Sequence, residues 1–422
     1  MALLLYSTLF RLLLPLFALR MLIRSRNSPA YRQRMLERIG ISPPLSTKPL
    51  WIHAVSVGEV IAISPLVERL LQGQPRTHIL ITTMTPTGAA QVQQLFGSRV
   101  THRYIPWDTP GSVSRFLDRV APFAGIIVET ELWPNLLHLC ANRKVPLMLV
   151  NARLSERSCR GYKRFSSLTQ IALNSLTHIC AQHDADAKRF ISLGMPTDRV
   201  SVEGSIKYDL VLPASAIEQG AHWRVDLGMG RPVLVAASTH QGEDQTILDA
   251  WRLARDKQPN LALILVPRHP ERFDSVYQLA KGFHLGVTRR SDPRPASFET
   301  EIWIGDSLGE MLAYYAAADI AFVGGSFSGT GGHNPLEPAA IGLPIIMGPS
   351  RYNFAAICDE LEQEGALFQA ADAGDLAIKI EQAFAQKERA ASAGKRVVER
   401  NRGALERLLN RIESTFDLKI EK

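Results

Sequence analysis

The sequence predicts an α/β protein made of two doubly wound domains. Its 422 residues exceed the ~250–300 at which a single hydrophobic core stops growing. From residue 50 onward, short apolar runs alternate with helical stretches, in two sets of about six. Several runs are continuous rather than alternating, as parallel strands covered on both faces should be. With 46% hydrophobic and 21% charged residues, disorder, collagen-like repeats and a polytopic membrane protein are excluded.

The first set of strands is read at Trp51–Val55, His78–Thr82, Gly125–Glu129, Pro146–Asn151, His178–Gln182 and Val200–Glu203. The second is read at Val233–Ser238, Leu261–Pro267, Phe283–Arg289, Ile302–Gly305, Asp319–Gly324 and Leu343–Met347. The boundary falls near residues 208–230, where Tyr208-Asp209-Leu210 closes one set and a polar stretch precedes the next. The tail from Gln382 is helical in composition. Open α/β sheets present ligands at the carboxyl ends of their strands, so a cleft between the domains is the expected active site.

Ala2–Ile23 is apolar and about as long as a bilayer span. Arg11 near its middle costs roughly 2.5–3.5 kcal/mol on insertion scales, and Pro15 cannot bond the Arg11 carbonyl. Ser7, Thr8 and Arg11 share a helical face. The segment therefore spans a membrane or lies in its interface. Without a positive n-region or an A-x-A site it is not expected to be a cleaved signal peptide.

Residues 1–40 hold seven arginines against Glu37, which is +6 of the net +7. Basic charge after an apolar segment fits anionic lipid, whereas nucleic-acid binders carry it on a folded domain. A solvated Arg-rich linker is the alternative. If the segment spans, these arginines keep the body in the cytoplasm. The four scattered cysteines, with no C-x-x-C, exclude a disulfide framework and a thiolate zinc site.

Several strand-end loops carry chemistry. In Trp51–Val60, Glu59 opens a helix running through Leu71, a good place for a general base. The helix dipole favours its ionised form, so other influences must keep its pKa from falling too low. A residue that merely complements the dipole is the alternative. Glu129 ends the third strand and Glu131 lies two residues on, and the two are expected to face different directions. Pro134 fits the next helix's first turn. Asn151–Ser158 brings cations to the same edge. Lys207, in Glu203–Asp209, could stabilise a charged leaving group or be an ordinary surface lysine.

In the second domain, Ala237–Glu243 follows the first strand, and Pro267-Arg268 the second. Arg268 suits phosphate by geometry and fixed charge. Val323–Pro349 reads strand, glycine-rich loop, short helix, strand. Asn334 is placed as N-cap, Pro335 at N1 and Glu337 at N3, where Glu337 is a phosphate-site residue or a capping-box partner. There is no G-x-G-x-x-G opening the first domain, no P-loop, no nucleophile elbow and no H-E-x-x-H.

The ordered set WIHAVSVGEV, ETELWPN, NARLSERS, GSIKYD, ASTHQGED, PRHPERF, GDSLGEM and GGHNPLEPA closely resembles one family. This is the 3-deoxy-D-manno-oct-2-ulosonic acid (Kdo) transferases of the lipopolysaccharide inner core. The resemblance covers nearly the whole chain. It implies the GT-B fold, with two facing Rossmann-like domains. The expected layout is a membrane anchor at 1–25, an acceptor domain at 26–210, a CMP-Kdo domain at 211–390 and a returning helical segment at 391–422.

The resemblance also implies an inverting transfer from CMP-Kdo to a lipid A precursor, lipid IVA, at the cytoplasmic face of the inner membrane. Glu59 matches the catalytic base; Glu129 and Lys207 match residues that stabilise the transition state. Pro267, Arg268, Leu308, Gly309, Glu310, Asn334, Pro335, Leu336 and Glu337 match the CMP-binding segments. No cofactor, metal or nucleic-acid partner is expected. The leaving phosphate monoester is stabilised by arginine and backbone N–H groups. The rivals are a GT-B enzyme using a UDP-sugar, either a transferase or a 2-epimerase, and an inert membrane scaffold.

Overall fold

The computed structural model describes residues 1–74, 76–283, 286–294 and 296–418. It divides into two compact units, Met1–Asp209 with the segment from Arg402 onward, and Leu210–Asn401. Among the described residues, each unit holds a seven-stranded parallel sheet.

In the first unit the strands are β1 Leu50–His53, β2 Ile79–Thr83, β3 Thr101–Tyr104, β4 Ala124–Val128, β5 Leu147–Ala152, β6 His178–Ala181 and β7 Val200–Val202. Their order is β3-β2-β1-β4-β5-β6-β7. Every residue of β1, β2, β4 and β5 is buried. Neighbours along a strand point to opposite faces, so Ile52, Ile81 and Ile126 build one core and Trp51, Leu80 and Ile127 the other. Two covered faces explain the continuous apolar runs.

The second unit has β8 Val233–Thr239, β9 Ala262–Pro267, β10 Val287–Arg289, β11 Ile302–Ile304, β12 Ile320–Val323, β13 Ile345–Met347 and β14 Leu367–Gln369. Their order is β10-β11-β9-β8-β12-β13-β14. The front of the expected strand Phe283–Arg289, residues 284 and 285, lies outside the described residues.

Two strands, β3 and β14, fall outside the expected sets. Both are outermost in their sheets. Their sequences, THRY and LFQ, include half-buried or exposed positions, so neither shows a continuous apolar run.

The helix Lys387–Asn401 stays with the second unit, where Gly394 packs beside Ala339. Residues 391–401, expected in the returning segment, therefore do not return. The crossing comes at Arg402. The helix Ala404–Phe416 then buries Leu408, Leu409 and Ile412 in the first unit's core. Asp209 fixes this return: its carboxylate accepts the backbone N–H groups of Gly403 and Leu405, each at 2.6 Å. Gly204 allows the close approach, since at φ +88 a Cβ would stand 3.2 Å from the Ala404 Cβ.

The N-terminal helix Ala2–Asn27 belongs to the first unit. At ~1.5 Å per residue, its 26 residues are long and apolar enough to cross a membrane. It is nonetheless tied to the body near its start. Tyr6 donates to Asp108 at 2.9 Å and Ser7 to Asn135 at 2.8 Å. Ser7 is buried, whereas Thr8 and Arg11 are exposed. Leu5, Leu9, Leu12, Leu16, Leu19 and Ile23, three or four residues apart, form an exposed apolar stripe.

Candidate active-site residues in each unit

Strand order reverses direction at β1/β4 in the first unit and at β8/β12 in the second. Open parallel sheets bind ligands outside the carboxyl ends at such points. The loops after β1 and β4 carry Glu59, Glu129 and Glu131, and those after β8 and β12 carry Glu243 and the glycine-rich turn.

Ser56 caps the helix Val57–Ala62, its Oγ accepting the Glu59 N–H. Glu59 Oε1 accepts from the Ser56 hydroxyl at 3.0 Å, and Oε2 from the Val55 N–H at 2.7 Å. This is a capping-box variant, reaching one residue further back than usual. The helix does not continue through Leu71: a new one, Ser64–Gly73, starts around Pro65, which lacks the N–H to continue the first.

Glu59 is only 9% exposed. Burial pushes its carboxyl up to about 7, and the negative charges of Glu129 and Glu131 push the same way. The bonds from Val55 and Ser56 pull it down but are outweighed. These are the influences that oppose the helix dipole.

Glu129 has φ +60, so the loop is not extended; an extended one would have put Glu129 and Glu131, two residues apart, on the same face and not on different ones. Glu129 Oε1 pairs with Lys207 Nζ at 3.4 Å. Lys207 lies in the turn Ile206–Tyr208 after β7, opened by Ser205. Burial raises Glu131, whose Oε2 accepts from Trp133 Nε1 at 2.5 Å. Pro134 opens the helix Pro134–Asn142. Asp108, not singled out in the sequence, accepts its Asn135 and Leu136 N–H groups at 3.1 and 2.8 Å.

Asn151 and Ser238 also have positive φ, at 51 and 56. Each coincides with a register shift at the end of its strand. Non-glycine residues adopt this conformation at a cost of order 1–3 kcal/mol, and such positions cluster at functional sites. Asn151 is buried, and neither polar atom of its amide has a partner among the described residues.

In the second unit Glu243 opens the helix Glu243–Ala254 after β8. Its buried carboxylate accepts four backbone N–H groups: His240 and Gly325 at Oε2, Phe327 and Ser328 at Oε1, all within 3.3 Å. It thereby fixes the glycine-rich loop against β8. Gly324 is required there, because a Cβ would stand 2.4 Å from the Ser238 carbonyl oxygen.

Arg268 follows Pro267, the last residue of β9, and its side chain is exposed. Its charge acts on both His333 and Glu337. Burial holds His333 down at about 4. His333 Nε2 lies 2.8 Å from His240 Nε2, a pair the sequence reading missed.

The helix near Asn334 is Leu336–Ile341, with Pro335 in the cap position. It starts one residue later than expected. Asn334 still caps it, accepting the Leu336 N–H at 3.1 Å. Glu337 accepts from the Asn334 side-chain amide at 3.4 Å, and burial raises its carboxyl. Gly309 has φ +82 and Leu308 is exposed. Burial would raise the Glu310 carboxyl, but bonds from Ser307, Arg290 and Gln219 together lower it. Glu310 pairs with Arg290 at 3.0 Å.

Two Rossmann-like parallel units, each with a switch point at the carboxyl ends of its strands, define the GT-B fold. The sequence model of the 3-deoxy-D-manno-octulosonic-acid transferase (kdotransferase) family matches residues 33–210. The chain is 42% identical to the 3-deoxy-D-manno-octulosonic acid transferase of Haemophilus influenzae, over 96% of both chains. It is 36% identical to that of Bordetella pertussis, over 97% of this chain and 98% of the other. Among solved structures, the UDP-GlcNAc 2-epimerase of Neisseria meningitidis bound to UDP-GlcNAc aligns with TM-score 0.54 over 86% of this chain and all of the other. At 12% identity it shares the fold. The chain belongs to the Kdo transferase family.

Proposed function

We propose that the protein is an inverting transferase that moves Kdo from CMP-Kdo to a lipid A precursor, lipid IVA, in lipopolysaccharide core biosynthesis. Glu59 takes the proton of the acceptor hydroxyl. The freed oxygen forms a bond to the Kdo anomeric carbon from the face opposite CMP. The bond from that carbon to the phosphate oxygen breaks, and CMP leaves as a phosphate monoester anion. The anomeric centre inverts.

The observation that carries this reading is the buried Glu59 carboxyl, oriented by Val55 and Ser56 at the carboxyl end of β1 beside the switch point, with its pKa pushed up to about 7. A base poised near the working pH is worth ~10²–10⁴ in rate. Lys207, paired with Glu129, stabilises developing charge. Arg268 and the Asn334–Glu337 and Leu308–Glu310 segments bind CMP. The first unit, with its returning helix, takes the acceptor and the second the donor.

The N-terminal helix associates with the cytoplasmic face of the inner membrane and lies in its interface. A helix crossing the bilayer would carry Tyr6 and Ser7 away from Asp108 and Asn135, their partners in the body. The exposed leucine stripe faces lipid instead.

Incubation of the full chain with CMP-Kdo and a tetra-acylated lipid A precursor tests this, with product masses read out. Products heavier by whole Kdo residues are expected, and CMP is expected to bind more tightly than UMP. An unmodified acceptor, or tighter UMP binding, would favour the UDP-sugar alternative.

A further inference from the structure

The N-terminal helix does more than touch a membrane: its inner face walls a cavity in the first unit. The cavity has a volume of about 490 Å³, within the ~300–1,000 Å³ range of ligand pockets. Phe10 and Phe17 line it from the helix, and Trp107 and Trp133 from the loops after β3 and β4.

Its charged lining is entirely cationic: Arg20, Arg24 and Arg38. Arg20 and Arg24 are exposed. Arg38 is 2% exposed, its guanidinium lies 4.4 Å over the Tyr104 ring, and its Nε has no partner among the described residues. The Glu37 charge acts on Arg38, whose Nη2 donates to the Met84 carbonyl at 2.9 Å, but a buried guanidinium that is only partly bonded is still costly. An anionic ligand offsets that cost.

Two further features narrow the ligand. The exposed leucine stripe lies on the neighbouring face of the same helix, so the cavity borders the surface proposed to meet lipid. Trp133 also donates to Glu131, whose charge acts on Glu59. The cavity is thus one loop removed from the proposed base.

We propose that this cavity seats the phosphorylated glycolipid acceptor, a lipid phosphate on Arg20, Arg24 and Arg38 and apolar chain against Phe10 and Phe17. This rests on the Kdo-transfer reading for the identity of the lipid. The N-terminal helix is then part of the acceptor site, and removing residues 2–23 abolishes acceptor binding as well as membrane association.

The test uses the full chain in detergent and a bisphosphorylated glycolipid acceptor with a brominated acyl chain, read by quenching of tryptophan fluorescence. Saturable quenching is expected, weakened at least ~10-fold in R20E/R24E, since hydrogen bonds to a charged group are worth ~1.5–3 kcal/mol each. In turnover, the same variant should raise the acceptor KM by that factor and leave the CMP-Kdo KM unchanged. R26E, on the same helix but not lining the cavity, should behave as wild type, which controls for general charge loss. Equal quenching by brominated phosphatidylglycerol, or an unchanged acceptor affinity in R20E/R24E, overturns the proposal. Because quenching needs no turnover, it decides the cavity's role even if no Kdo is transferred.

Discussion

Glu59 turns its carboxylate back on its own chain, where Oε2 accepts the Val55 backbone N–H at 2.7 Å. With the Ser56 hydroxyl on Oε1, two of the roughly four acceptor sites of a carboxylate are used. Among the described residues no cationic side chain pairs with it to hold it ionised. That combination leaves burial and the Glu129 and Glu131 charges to set its proton affinity.

The native carboxyl titrates near 7 against an ordinary 4.5. The folded state therefore holds the proton more tightly than the unfolded chain. Glu59 costs no stability below its unfolded pKa, and destabilises progressively as pH rises from there through about 7. Glu59→Gln is expected to raise stability by about 2–3 kcal/mol at alkaline pH and by little below about pH 4. Chemical denaturation of both proteins at the two pH values measures this.

Only the ionised carboxylate accepts a proton, so kcat/KM for the acceptor should rise with pH and level off above about 7. Glu131→Gln removes one negative charge acting on Glu59 and should move the rise to lower pH. A pH–rate profile of both enzymes is the check; an unmoved profile would separate Glu131 from the base.

Glu243 satisfies four backbone N–H groups of the glycine-rich loop and its neighbour. Glu243→Ala leaves them without an acceptor, each buried loss costing ~1–3 kcal/mol. CMP affinity should fall at least ~10-fold by calorimetric titration, with a lower unfolding midpoint. Unchanged CMP binding would remove this loop from the donor pocket.

Asp209 caps the returning helix, two residues from Lys207. Asp209→Ala should cost about 2–3 kcal/mol and lower kcat, because the Lys207 turn loses its brace. Denaturation and turnover measured on one preparation test both effects. Lost stability with kcat intact would make the brace purely structural.

The parallel cores were legible because both faces of strands such as β4, β5 and β9 are covered, leaving runs such as Leu147–Val150 with no polar position. The edge strands β3 and β14 were not, since half-exposed positions carry polar residues. Glu59 could be placed from Ser56 and the strand before it. The left-handed Glu129 could not, because nothing local in Glu-Thr-Glu demands φ +60. Glu243 and Asp209 were also hidden. Apart from His240, their partners are backbone N–H groups 82 to 196 residues away, and backbone groups leave no mark on a sequence. The helix restart at Pro65 was available in the sequence and was read through.

The most direct measurement is single-turnover Kdo transfer by Glu59→Gln beside wild type, at saturating CMP-Kdo and acceptor. A fall of ~10²–10⁴ in rate, with CMP affinity unchanged, is the expected result. Equal rates would contradict the assignment of Glu59 as the base.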